Sequence, residues 1–181
     1  MSTGEKVGAT LLGASECIKA PIHTPVSTAP KLELSSGSLE ALKWLALLLM
    51  TLDHVNKHLL HASVPELFAV GRLALPLFGF VLGYNLARPG ALASGGYSRT
   101  ARRLAIFGTI ATIPFIALGG LGWGWWPFNI MATLLVATLC AWLIEVGGPA
   151  RLVAAAAVFI IGGALVEFWW PGLTACLLAW V

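Results

Sequence analysis

Hydrophobic and polar positions divide the chain at about residue 38. From residue 39 onward, apolar segments follow one another, separated by short stretches of Gly, Pro or charged residues. They cover residues 39–60, 68–86, 103–121, 128–146, 150–167 and 172–181. The first five are close to the roughly 20 residues that an α-helix needs to cross a bilayer, and the last is shorter.

Residues 1–38 contain Pro21, Pro25 and Pro30 and many Ser, Thr and Gly residues, without a sustained apolar period. A segment of this composition buries too little apolar surface to offset the entropy of ordering it. We therefore predict a disordered N-terminal tail over residues 1–38. Ser38 is the predicted N-cap of the first helix.

The remaining residues, 39–181, are predicted to form one transmembrane domain. Backbone groups in lipid must find partners within the protein, and a helix satisfies this requirement within each segment. The predicted fold is all-α, a polytopic membrane helix bundle of about five to six transmembrane segments. Cys140 and Cys176 are predicted to be small core residues, since the three cysteines of the chain lie far apart.

Composition supports this prediction. The 181 residues are 58% hydrophobic and 10% charged, and the mean hydropathy is +0.85, whereas a soluble domain is about 25% charged. A soluble globular enzyme and a nucleic-acid-binding module are therefore excluded as function classes. Membrane lipids are expected partners, and nucleic acid is not.

Basic residues predict the orientation of the segments in the membrane. If the segments alternate in direction, most basic residues share one side, and the positive-inside rule makes that side cytoplasmic. They are Lys31, Lys43, Arg88, Arg99, Arg102, Arg103 and Arg151. The opposite side holds Lys57, Arg72 and a belt of Trp123, Trp125, Trp126, Trp169 and Trp170. The N-terminus is thus predicted to be cytoplasmic.

The richest group of polar residues lies in the far half of the first segment. Asp53, Lys57 and His61 have the spacing i, i+4 and i+8 on a helix. His54, His58 and His61 have the spacing i, i+4 and i+7. A histidine beside a carboxylate can be held in one tautomer and act as a general base. Alternatively, Asp53 and Lys57 form a simple ion pair. His58 and His61 are expected to be solvated.

A zinc site is a weaker interpretation of the same residues. His54 and His58 have the HxxxH spacing of zinc-binding helices, but Val55 stands where zinc proteases carry their glutamate. Lys57 would also repel a cation. No metal is expected.

Three further polar residues are candidates because charged or polar groups inside a membrane are costly. Arg72 begins the second segment, four residues before the helix-kinking Pro76, and can instead be an interfacial side chain. Asn129 can form hydrogen bonds across helices or act as an N-cap. Glu167 can face a cavity or lie at the interface.

A basic stretch precedes the third segment. It contains Tyr97, Arg99, Arg102 and Arg103. Arginine clusters are suited to phosphate recognition, although the same cluster also serves as an ordinary orientation signal.

Several of these motifs together resemble the TraX family over about residues 40–181. Residues 42–54 resemble its first-helix signature, and residues 71–80 resemble its GR-x-x-F-P-x-F-x-F segment, with Leu75 in place of the usual Phe. The remaining similar positions are Tyr97 with residues 102–104, Asn129 with Ile130, and Glu167 followed by Gly172.

The resemblance implies a bacterial inner-membrane protein that transfers an acetyl group from acetyl-CoA to an amine such as the N-terminus of a pilin. It makes Asp53 and His54 the catalytic candidates. Substrate-binding candidates are Lys43, Arg72, Asn129 and Glu167, and acetyl-CoA candidates are Tyr97, Arg99, Arg102 and Arg103. In the resulting hypothesis, His54 is oriented by Asp53, and Arg72 or Asn129 stabilises the oxyanion. Direct transfer and an acetyl-His54 intermediate both remain open.

Two other functions fit the same residues. A small proton-coupled transporter would also place Asp53, His54 and Glu167 inside the bundle. A non-catalytic membrane scaffold would tolerate the loss of Asp53 and His54.

Overall fold

The computed structural model of the chain describes residues 34–117 and 128–181. Its helices are α1 (Ser36–His58), α2 (Pro65–Gly71), α3 (Ala74–Leu86), α4 (Gly96–Ala117), α5 (Ile130–Val146), α6 (Pro149–Leu165) and α7 (Trp169–Leu178). Within the described ranges, extended pairing is limited to one isolated bridge between Phe128 and Val166. The predicted all-α fold is confirmed for these residues.

The first helix begins slightly before the predicted boundary. Its N-cap is Ser35, whose side chain accepts a hydrogen bond from the backbone N–H of Ser38 at 3.1 Å. The prediction of Ser38 as the N-cap is therefore wrong. Most of the predicted tail lies outside the described residues, and so do Lys31 and the three tryptophans of residues 123–126.

The second predicted segment is divided into α2 and α3 at Arg72. The pyrrolidine ring of a proline clashes with the carbonyl group four residues before it, which for Pro76 is the carbonyl of Arg72. The chain makes a tighter turn there, in which the Leu73 N–H donates to the Val70 carbonyl at 3.1 Å. Pro76 thus interrupts the helix, as predicted, and the interruption lies four residues before the proline itself.

The stretch Pro65–Leu86, which comprises α2 and α3, is 22 residues long and apolar enough to cross a membrane. It is the one such stretch in the described residues, where five to six segments were predicted. Helices α5 and α6 are also apolar but shorter, with 17 residues each.

Contacts between helix termini define two ends of the bundle. At one end, Leu34 N–H donates to the Tyr84 hydroxyl at 3.1 Å, and the Tyr97 hydroxyl donates to the Leu86 carbonyl at 3.1 Å. We call it the basic end, because Arg88, Arg99, Arg102 and Arg103 lie in or beside these termini. At the opposite end, which we call the Asp53 end, Asp53 packs against Gly71.

The core lies between α3, α5 and α7. It contains Leu75, Leu134, Ala137, Val166, Leu173 and Cys176. Cys140 and Cys176 are buried free thiols, as predicted. Helices α3 and α7 approach closely at Gly79 and Gly83, where an added Cβ would lie 2.7 Å from Cys176 Sγ and from the Ala179 backbone, respectively. This is the close backbone approach typical of GxxxG spacing.

Candidate active site

Asp53 lies directly against the backbone of α2. A Cβ added at Gly71 would overlap Asp53 Cβ and would lie 2.8 Å from Asp53 Cγ. Only a glycine leaves room for the aspartate side chain at this crossing. Gly71 therefore holds Asp53 at the α1–α2 contact, a role that the sequence analysis did not assign to it.

Glu167, in the connector between α6 and α7, also lies at the Asp53 end. Its backbone N–H donates to the Phe128 carbonyl at 2.9 Å, next to the Phe128–Val166 bridge. Burial raises the pKa of the Glu167 carboxyl. The nearby charges of Lys57, His54 and Arg72 lower this pKa, and that of Asp53 raises it. Glu167 thus shares one electrostatic environment with the polar residues of α1.

His54 is oriented by its own helix. Its Nδ1 lies 2.7 Å from the carbonyl oxygen of Met50, one turn earlier. A carbonyl oxygen only accepts hydrogen bonds, so Nδ1 carries the hydrogen, and Nε2 of the neutral ring keeps its lone pair. The hypothesis that Asp53 orients His54 is therefore wrong, because consecutive helical residues do not face each other.

His58 is closer to this group than the sequence suggested. Its ring centroid lies 6.0 Å from that of His54. Its Nε2 is buried and has no hydrogen-bond partner among the described residues. The expectation that His58 is solvated is wrong, whereas His61 is exposed as expected.

Arg72 and Asn129 have different surroundings. The Arg72 guanidinium lies 4.4 Å from the centroid of the Phe68 ring, and its side chain is exposed. Asn129 is buried and joins α4 to α5. Its Nδ2 donates to the Gly108 carbonyl and to Thr112 Oγ1, both at 3.0 Å, while its Oδ1 caps α5. Both amide hydrogens of Asn129 are therefore already in use, and Arg72 is the remaining predicted candidate for an oxyanion donor.

The remaining predicted residues lie elsewhere. Tyr97 belongs to the basic end, and Arg99, Arg102 and Arg103 lie in the turns that follow it. The helical stretch from Gly71 to Leu86, which connects the two ends of the bundle, is about 20 Å long. Tyr97 is buried, and its hydroxyl also accepts a hydrogen bond from Trp180 Nε1 at 3.0 Å. Lys43 forms an ion pair with Glu40 on the surface of α1.

The structure thus brings four predicted residues together and separates the others from them. Asp53, His54, Arg72 and Glu167 share the Asp53 end, with Asn129 beside them in its structural role. No group of three or more His, Cys, Asp or Glu side chains within residues 34–117 and 128–181 is arranged to hold a metal ion.

Asn56 fixes the connection between α1 and α2, and its replacement tests this. Its Nδ2 donates to the Val64 carbonyl at 2.8 Å, and its Oδ1 accepts from the Val64 N–H at 3.1 Å. The side chain is 1% exposed. Asn56→Ala is expected to lower the free energy of unfolding by about 2 kcal/mol, because two partly buried backbone groups of Val64 lose their partners. Thermal unfolding in detergent measures the change, and Asn85→Ala, which removes one bond within a single helix, is the smaller control.

Comparison with known proteins places these motifs in a family. The family model described as TraX protein matches residues 38–181. A protein named Protein TraX from Escherichia coli strain K12 is 46% identical over 54 residues, which is 30% of this chain and 21% of that protein. Another Protein TraX, from Escherichia coli, is 30% identical over 131 residues, or 72% of this chain and 50% of that protein.

The chain spans half or less of the length of these curated relatives. No solved structure matches it significantly. The family match extends from the first turn of α1 to the last residue of the chain and contains every residue of the candidate site. The chain belongs to the TraX family.

Proposed function

We propose that this chain is a multi-pass membrane acetyltransferase that moves an acetyl group from acetyl-CoA to an amine, such as the N-terminus of a pilin. The observation that carries the proposal is the group at the Asp53 end. There the charges of Asp53, His54 and Arg72 all act on the Glu167 carboxyl, and the Met50 carbonyl holds His54 Nδ1, at one end of an apolar bundle. Membership of the TraX family supports the same activity.

Exposed apolar side chains support insertion into a membrane. The outer faces of α4 and α6 carry bulky aliphatic residues, and Ile113 and Val153 are 71% and 70% exposed. Soluble monomers rarely expose contiguous apolar faces of this kind, whereas lipid covers them. We place the protein in the bacterial inner membrane, with the N-terminus and the basic end toward the cytoplasm.

The chemistry follows from the positions of the side chains. His54 Nε2 accepts a proton from the attacking amine as the nitrogen bonds to the thioester carbonyl carbon. The charge that develops on the carbonyl oxygen is stabilised by the Arg72 guanidinium. Collapse of the tetrahedral intermediate breaks the C–S bond and releases CoA thiolate, which takes the proton from His54 and restores the neutral base. Asp53 and Glu167 supply negative charge that stabilises the protonated His54.

The position of the arginines determines how acetyl-CoA must lie in the bundle. Arg99, Arg102 and Arg103 are proposed to bind the phosphates of acetyl-CoA at the basic end. His54 lies about 20 Å away along the bundle. The pantetheine arm of acetyl-CoA must therefore extend between the helices if the phosphates bind the arginines while the thioester reaches His54.

Turnover of acetyl-CoA by the purified full chain tests the proposal. In detergent or vesicles, with a peptide that carries a free N-terminal amine, CoA thiol release is expected to equal the acetylated peptide found by mass spectrometry. Proton-coupled uptake of a solute into vesicles without CoA release would instead indicate a transporter. Partner binding that survives the loss of Asp53 and His54, without CoA release or solute transport, would instead indicate a scaffold.

A further inference from the structure

A separate cavity lies at the basic end, away from the candidate active site. Its volume is about 390 Å³. It is bounded by the turn that follows α3, the last turn of α5 and the residues that follow α7. Arg88, Glu145 and Trp180 line it, one from each of these elements. None of the three has a role in the proposed reaction.

The two charged residues of this cavity are not paired with each other. The ion pair within 4.0 Å found in the described residues is that of Lys43 with Glu40. The Arg88 guanidinium lies 5.5 Å from the centroid of the Tyr84 ring. Arg88 and Glu145 therefore present one positive and one negative group to the same cavity. A ligand that pairs with both carries a negative and a positive charge of its own.

If Pro65–Leu86 spans the membrane, the cavity lies at the depth of lipid headgroups. Arg88 comes two residues after the end of Pro65–Leu86, the stretch that is able to cross a membrane. Glu145 lies in the last turn of the apolar helix α5. Trp180 is held at this level by its hydrogen bond to Tyr97, and tryptophan is enriched at membrane interfaces. A charged ligand at this position is most directly supplied by the bilayer itself.

We propose that this cavity binds the headgroup of phosphatidylethanolamine, with the lipid phosphate on Arg88 and the ammonium on Glu145. A primary ammonium donates hydrogen bonds to a carboxylate, which the quaternary ammonium of choline cannot do. An anionic glycerol headgroup would leave Glu145 without a positive partner. This lipid binding depends on membrane insertion but not on acetyl transfer. Loss of the enzymatic activity would therefore not contradict it.

Native mass spectrometry of the purified full chain tests this binding. The protein is mixed with equal amounts of phosphatidylethanolamine, phosphatidylcholine and phosphatidylglycerol that have identical acyl chains. We expect phosphatidylethanolamine to be retained roughly tenfold more than either of the others. Glu145→Gln is expected to remove this preference over phosphatidylcholine, whereas Arg88→Gln weakens retention of all three lipids. Glu145→Lys is expected to shift the preference to phosphatidylglycerol.

Arg151→Gln is the matched control, because Arg151 is an exposed arginine of the same end that does not line the cavity and has no role in the proposed reaction. It is expected to leave lipid retention unchanged. Equal retention of the three lipids by the unmodified protein would overturn the proposal. An equal effect of Arg151→Gln and Arg88→Gln would also overturn it. So would displacement of phosphatidylethanolamine by soluble CoA, which would identify the cavity as a site for a soluble phosphate.

Discussion

His54→Ala is expected to reduce acetyl transfer by about 10²- to 10⁴-fold, the usual contribution of a general acid–base residue. The Met50 carbonyl fixes the hydrogen on Nδ1, so Nε2 is the only ring atom able to accept the proton from the amine. Alanine removes this acceptor. The rate of CoA thiol release under saturating acetyl-CoA measures the loss.

A second histidine of the same region provides the matched control. His61 lies beyond the end of α1, is exposed and has a φ of 52°, a conformation that asparagine tolerates. His61→Asn is therefore expected to keep the activity and the unfolding temperature of the unmodified protein. Full activity in His54→Ala, with the fold retained, would exclude His54 as the base.

The position of this histidine was only partly predictable from sequence. Helical spacing correctly brought His54 and His58 to neighbouring turns, since i, i+4 residues lie on one face of a helix. The bond from Nδ1 to the Met50 carbonyl was not predictable, because it depends on the rotamer of His54. The buried Nε2 of His58 depends on how other elements pack over the end of α1.

Tertiary contacts, rather than a local sequence pattern, bring Glu167 to the Asp53 end. The sequence placed it at the end of an apolar segment, where a cavity and the membrane interface were both possible. The Phe128–Val166 bridge and the adjacent hydrogen bonds hold the α6–α7 connector against the start of α5 and thereby place Glu167 at the Asp53 end. No local pattern in the sequence predicts the pairing of Phe128 with Val166.

Two signals were present in the sequence but were not interpreted. Gly79 and Gly83 have GxxxG spacing within an apolar segment, which indicates close packing of helices. The i−4 rule for proline places the break caused by Pro76 at Arg72. The same break ends α2 at Gly71 and thereby places this glycine against Asp53.

Gly71→Ala is expected to reduce acetyl transfer at least tenfold, although Gly71 carries no reactive group. The added methyl group would overlap Asp53 Cβ, so either α2 moves away from α1 or the Asp53 side chain leaves its position. Overpacking of this kind costs about 1–3 kcal/mol. Displacement of Asp53 removes a negative charge from the neighbourhood of His54. The loss is therefore expected mainly in kcat, with a smaller decrease in the unfolding temperature.

The matched control for this substitution is Gly37→Ala, in the first turn of α1. An added Cβ there lies 3.8 Å from its nearest neighbour, Ser35 Oγ, so activity and stability are expected to stay unchanged. A double-mutant cycle with Asp53→Gly separates steric overlap from general destabilisation. Because Asp53→Gly removes the overlapping Cβ, the stability cost of Gly71→Ala is expected to fall by about 1 kcal/mol or more in that background. Additive stability changes would show that Gly71 acts independently of Asp53, and the contact would then have no part in holding the carboxylate.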